Sequence, residues 1–155
     1  MRLSALLLVV SLAACAAPPQ APAPAAEPAN PEFINLVEPW PYPFSSAVKS
    51  GNLLFLSGQI GTAVVDGAPA LVSGGFDAEA RQTLENIKSI VEGAGSSMDR
   101  VVKCTVMLAD MADWPRFNEI YTEYFPGPKP ARAAFGANGL ALGARVEVDC
   151  IAMAR

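Results

Sequence analysis

Leu53-Leu54-Phe55-Leu56-Ser57-Gly58-Gln59-Ile60 is the stretch whose pattern decides the fold. Alternation along a strand sends Leu54, Leu56 and Ile60 to one side and Leu53, Phe55 and Ser57 to the other, so both faces are apolar. Such a strand belongs in the middle of a sheet and is covered from both sides. Just upstream, residues 44–49 reach it through Ser50-Gly51-Asn52, which reads as the turn of a hairpin.

After a loop containing Asp66-Gly67 and Gly74-Gly75, the apolar period changes to that of a helix. Asp77 is the expected N-cap; Ala80, Leu84, Ile87, Val91 and Ala94 form the buried stripe, and Gly93 and Gly95 end the helix. Residues 101–108 return to strand alternation, with Val102, Cys104, Val106 and Leu108 on one face. Asp113 and Pro115 open a second helix, striped by Trp114, Phe117, Tyr121 and Tyr124 and stopped by Pro126-Gly127. That stripe reads as core packing rather than a platform for stacked bases. Residues 131–137 and 144–153 complete a β-β-α-β-α-β-β order, an α+β domain with a mixed sheet and two helices on one face.

Two helices cover only one face of so wide a sheet. Leu53, Phe55, Val101 and Met107 fall, by alternation, on the other face, where they would form a large apolar patch in a monomer. Self-association is the expected solution. Glu147 and Asp149 alternate with Val146, Val148 and Cys150, which puts both carboxylates on that open face, at or near a subunit boundary.

The chain contains no histidine, which excludes imidazole bases, Ser-His-Asp relays and histidine-ligated metals. Cys15, Cys104 and Cys150 are far apart and form no Cys-x-x-Cys, so no metal site is expected. Cys104 and Cys150 lie on apolar strand faces and are expected to be buried and reduced; oxidation stays open if the protein is exported and the two strands are neighbours. The candidate site is the pair Arg132 and Glu147. Gly127-Pro128-Lys129-Pro130-Ala131 fixes the backbone leading into Arg132, which suits a planar fork gripping a carboxylate, and Glu147 stands amid Val146 and Val148. A structural salt bridge is the alternative.

Residues 1–14 read as an export signal: Arg2, an apolar run over 3–10, then Leu12-Ala13-Ala14-Cys15. That tetrad resembles the bacterial lipobox, which implies cleavage before Cys15 and lipidation of its thiol; ordinary cleavage near Ala16 or Ala17 is the alternative. With no aspartate after Cys15, the outer membrane, facing the periplasm, is the expected destination. Residues 15–32 are rich in alanine and proline and read as an extended tether, leaving one domain over 33–155. Removal of Arg2 leaves ten basic against fifteen acidic side chains, a net charge of −5 that disfavours nucleic acid as a partner.

Ser57-Gly58-Gln59-Ile60, the helical Ala80-Arg81-Gln82-Thr83-Leu84-Glu85-Asn86-Ile87-Lys88, Phe117-Asn118 with Tyr121, Pro130-Ala131-Arg132 and Val146-Glu147-Val148 together resemble the RidA/YjgF family of enamine/imine deaminases. The resemblance implies a chorismate-mutase-like fold, a homotrimer with clefts between subunits, and cofactor-free hydrolysis of 2-imino acids to 2-oxo acids and ammonia. By position it implies that Arg132 binds the substrate carboxylate, that Glu147 orients the attacking water, and that Ser57, Gly58 and Asn118 line the cleft. Phe44 stands where the family usually has tyrosine, keeping the ring without the hydroxyl, and Ala134 stands where cysteine, serine or threonine is common. A non-catalytic envelope trimer that binds small carboxylates or a partner protein through the same cleft is the competing reading. An endoribonuclease ranks last.

Overall fold

The computed structural model describes residues 30–36, 42–65 and 68–155. The expected leader, Cys15 and the tether up to residue 29 lie outside them. Strands β1 (Glu32–Ile34), β2 (Ala47–Ser50), β3 (Leu53–Leu56) and β4 (Gln59–Ile60) are followed by β5 (Thr62–Val65) and β6 (Ala68–Leu71). Helix α1 (Gly75–Gly93), β7 (Val101–Leu108), α2 (Trp114–Tyr124), β8 (Ala131–Gly136) and β9 (Val146–Met153) complete the chain.

The fold is α+β, as expected. The main sheet runs β1-β2-β3-β9-β7-β8, with β4 continuing the line of β3 along β9. Among the described residues only β7 and β8 pair in parallel, and α2 supplies the crossover that a parallel pair requires. The 131–137 and 144–153 segments are therefore not neighbours; β7 lies between them. Leu54, Leu56, Cys104, Val106, Leu108, Val146, Val148, Cys150 and Ala152 form the inner face. They pack against Ala80, Leu84, Ile87 and Val91 of α1 and Phe117, Ile120 and Tyr121 of α2.

Several expectations are corrected. The first hairpin strand begins at Ala47 rather than 44, and Glu32, assigned to the tether, pairs with Lys49 in the edge strand β1. The loop expected before α1 contains a second sheet, the β5–β6 hairpin. Asp77 does not cap α1: Gly74 holds the N-cap at φ 116, and Asp77 in the first turn pairs with Arg116 of α2. A register shift between Val101 and Lys103 turns Val101 inward, where it is buried, and leaves Val102 exposed, the reverse of simple alternation. A second irregularity at Ser57-Gly58 sets Gln59 opposite Val148 and Ile60 opposite Glu147, so Ile60 joins the open face rather than following Leu54 and Leu56.

The two thiols are not reduced. Cys104 and Cys150 stand directly opposite on β7 and β9 and form a disulfide, buried in the core with Cα atoms 4.1 Å apart. Strand adjacency, which spacing alone does not reveal, is the reason.

Across the open face one row runs Phe33, Val48, Phe55, Ile151, Lys103, Ala131 from β1 to β8. Phe33, Phe55 and Phe135 are 69%, 41% and 48% exposed, so among the described residues nothing covers this apolar face.

Candidate functional site

Arg132 sits on β8 opposite Cys104, whose own partner on β9 is Cys150. Those cysteines face the helices, so Arg132 does too, at the sheet edge where α2 ends its cover. Its guanidinium donates to Asn118 Oδ1 and lies 4.7 Å from the centroid of the Tyr121 ring and 5.9 Å from that of Phe117. Asn118 and Tyr121 are one turn apart on α2, which is why a single helix supplies both the hydrogen bond and the cation–π shelf. The planar fork is held by its ring face and one N–H, leaving further donors for a ligand.

Tyr121 was legible as a core aromatic, but its place under Arg132 was not. Its hydroxyl is buried with no hydrogen-bond partner among the described residues, and burial pushes the phenol up to about 12 against the opposing pull of Arg132. Asn118, Tyr121, Thr122, Lys129, Pro130 and Arg132 line an open cavity of about 310 Å³. A larger cavity, about 620 Å³, lies by Glu85, Glu92 and Tyr124 and includes none of the candidate site residues Arg132, Glu147, Ser57, Gly58, Asn118, Phe44 and Ala134.

Glu147 lies on the other face of the sheet. It stands between Ile60 on β4 and Met107 on β7, so its carboxylate has apolar neighbours on both sides. Partial burial, and then the Asp149 carboxylate two residues on, hold its pKa above the ordinary glutamate value. Gly58 makes room for it: a Cβ built there would come within 2.2 Å of Glu147 Oε1.

Ser57 is half-buried and works on the backbone, donating its hydroxyl to Ser45 O at 2.7 Å and its amide to Ser46 O at 3.1 Å. These bonds tie the segment after Phe44 to the Ser57-Gly58 corner. Phe44 is half exposed and stacks on Tyr42, with centroids 5.4 Å apart and rings 15° from parallel. Ala134, on the same face as Arg132, packs against the core.

The structure therefore sorts the singled-out residues into two groups. Arg132 and Asn118 touch each other on the helical side, with Ala134 on the same face of β8, while Glu147 and Gly58 meet on the open side, with Ser57 and Phe44 along the adjoining segment. The salt bridge considered for Arg132 and Glu147 does not form, because a strand sends them to opposite faces. Ion pairs among the described residues join Arg81 to Glu123, Arg116 to Asp77 and Glu119, and Arg145 to Asp113.

The family model described as Endoribonuclease L-PSP matches residues 38–154. Over 110 residues the chain is 43% identical to reactive intermediate deaminase A, chloroplastic, of Arabidopsis thaliana, a match covering 71% of this chain but 58% of that longer protein. It is 45% identical over 111 residues to the mouse 2-iminobutanoate/2-iminopropanoate deaminase, covering 72% of this chain and 81% of the mouse protein. Among solved structures, RidA from the Antarctic bacterium Psychrobacter sp. PAMC 21119 superposes with a TM-score of 0.67 at 38% identity, covering 78% of this chain and 94% of that one.

Proposed function

Because the chain belongs to the endoribonuclease L-PSP family, that of RidA and YjgF, we propose that it hydrolyses 2-imino acids to 2-oxo acids and ammonia in clefts shared between subunits of a homotrimer. The observation that carries this reading is the division of the site. Arg132 is held by Asn118 and Tyr121 on one face, and Glu147 waits on the opposite, uncovered apolar face. For both to act on one small ligand, the Arg132 edge of one copy must meet the Glu147 face of the next. Two different surfaces meeting head to tail close into a ring where the rotation allows it, and the trimer that the family resemblance implies is such a ring.

In that cleft Arg132 fixes the substrate carboxylate, and the adjacent C=N carbon faces a water held by Glu147 of the neighbouring copy. The carboxylate takes a proton as the water oxygen adds to the carbon of the protonated imine, giving a neutral tetrahedral carbinolamine. The carboxyl returns that proton to nitrogen, and as the hydroxyl gives up its own proton to the carboxylate the C–N bond breaks, releasing ammonia and leaving the 2-oxo acid. No electron transfer is involved, so the chain's own carboxylate and guanidinium suffice. Burial favours Glu147 for this work, since a carboxyl with a raised pKa exchanges protons more readily near neutrality.

Leu12-Ala13-Ala14-Cys15 supports lipidation at Cys15 and a place on the periplasmic side of the outer membrane, and the Cys104–Cys150 disulfide suits an oxidising compartment. The same features favour, as a second reading, an envelope trimer that binds small carboxylates without turning them over. An endoribonuclease is disfavoured by the acidic balance of the chain.

The deciding assay generates imines with an amino-acid oxidase and follows ammonia and oxo-acid release with and without the purified protein. Acceleration by the wild type that disappears in Arg132→Ala supports the deaminase. Binding of 2-oxo acids with no acceleration supports the binding protein.

A further inference from the structure

The cavity beside Arg132 is cationic on a chain whose net charge is −4. Its six lining residues include Lys129 and Arg132 and no carboxylate. One cation suffices for a monocarboxylate. We propose that Lys129 is a second anion subsite, and that the chain takes 2-imino dicarboxylic acids, the class formed by oxidation of acidic amino acids, in preference to monocarboxylic ones. The inference rests on the deaminase reading for its chemistry, but its binding part stands separately.

Lys129 is placed rather than loose. Pro128 and Pro130 flank it and restrict the backbone on either side. Its ammonium donates to the carbonyls of Phe125 and of Gly127, the latter at 2.9 Å, just past the C-terminus of α2. An ammonium has three N–H donors, and these two bonds leave one. Both partners are carbonyl dipoles, which orient the ammonium without cancelling its charge. The phenol of Tyr121 adds no negative charge to the cavity either, because burial keeps it protonated through neutral pH. At about 310 Å³ the space is at the small end for a ligand pocket, as a short dicarboxylate requires. With one carboxylate on Arg132, Lys129 is the cation that remains in the lining of the same pocket for the other.

A purely structural lysine would cap the end of α2 and be indifferent to the ligand's second charge. Calorimetric titration of the full-chain protein with oxaloacetate and with pyruvate separates the two roles. The wild type binds oxaloacetate about tenfold more tightly or better, the scale of one hydrogen-bonded charge pair. Lys129→Met, which keeps the stem, brings that ratio close to one, and Lys129→Arg restores it. In turnover, 2-iminosuccinate and 2-iminopropanoate made from aspartate and alanine show the same preference in kcat/KM and the same loss of it. Equal affinities in the wild type, or a ratio untouched by Lys129→Met, overturn the subsite. If the oxo-acid ratio responds to Lys129 while neither imine is accelerated, the subsite stands and the deaminase reading falls.

Discussion

Glu147 is the residue whose chemistry is most exposed to test. Its pKa is raised first by partial burial and then by Asp149, so as pH falls it becomes protonated, and lost as a base, at a higher pH than an ordinary glutamate. The acid limb of kcat/KM is therefore expected above the usual carboxylate range. Asp149→Asn removes the smaller of the two causes and moves the limb partway down. Glu147→Gln removes the limb and slows turnover by about 10² or more. A pH–rate profile with the limb unmoved in both variants would take Glu147 out of the chemistry. Gly58→Ala tests placement instead of charge. Its Cβ would overlap Glu147 Oε1, at 2.2 Å, and the flexible carboxylate must swing away. Turnover is expected to fall towards that of Glu147→Gln while the thermal midpoint stays near that of the wild type; full activity would show that the carboxylate's position is immaterial.

At the scale of elements, what was legible is what periodicity encodes. Leu54 and Leu56 inside, Phe55 outside, Glu147 and Asp149 opposite Val146, Val148 and Cys150, and two helices on one face all follow from side-chain spacing. What alternation missed are the places where it breaks. The extra residue at Ser57-Gly58 reverses Ile60, the shift at Val101 exchanges Val101 with Val102, and β5 and β6 pair within an expected loop. Val64-Val65-Asp66-Gly67 carries the β-branched and Asp-Gly signals of a hairpin and could have revealed that pair. The division of Arg132 from Glu147 was not legible, since it depends on β8 pairing with β7 and on each strand's register. Nor was the disulfide. Cys104 and Cys150 lie 46 residues apart in sequence and join β7 to β9 in mid-strand, so Cys104→Ala with Cys150→Ala should cost about 2–4 kcal/mol of stability. Alkylation in denaturant followed by mass measurement checks the bond itself: two modified thiols without prior reduction would contradict it.

At the scale of the whole molecule, the lipid anchor we propose rests on Leu12-Ala13-Ala14-Cys15, ahead of the folded domain. Cys15→Ser should move the protein from the detergent phase to the aqueous phase in partitioning; a wild type that is aqueous and begins at Ala17 or beyond would remove the anchor and leave the deaminase reading intact. We propose that one catalytic cleft needs Arg132 from one copy and Glu147 from another. The direct measurement mixes Arg132→Ala and Glu147→Gln proteins, each nearly inactive, under conditions where subunits exchange, and follows imine hydrolysis. In a closed head-to-tail ring at equal proportions, about one cleft in four pairs a native Arg132 with a native Glu147. Recovery towards about a quarter of wild-type turnover is expected, and a fully exchanged mixture as inactive as its parents would show that no cleft is shared between copies.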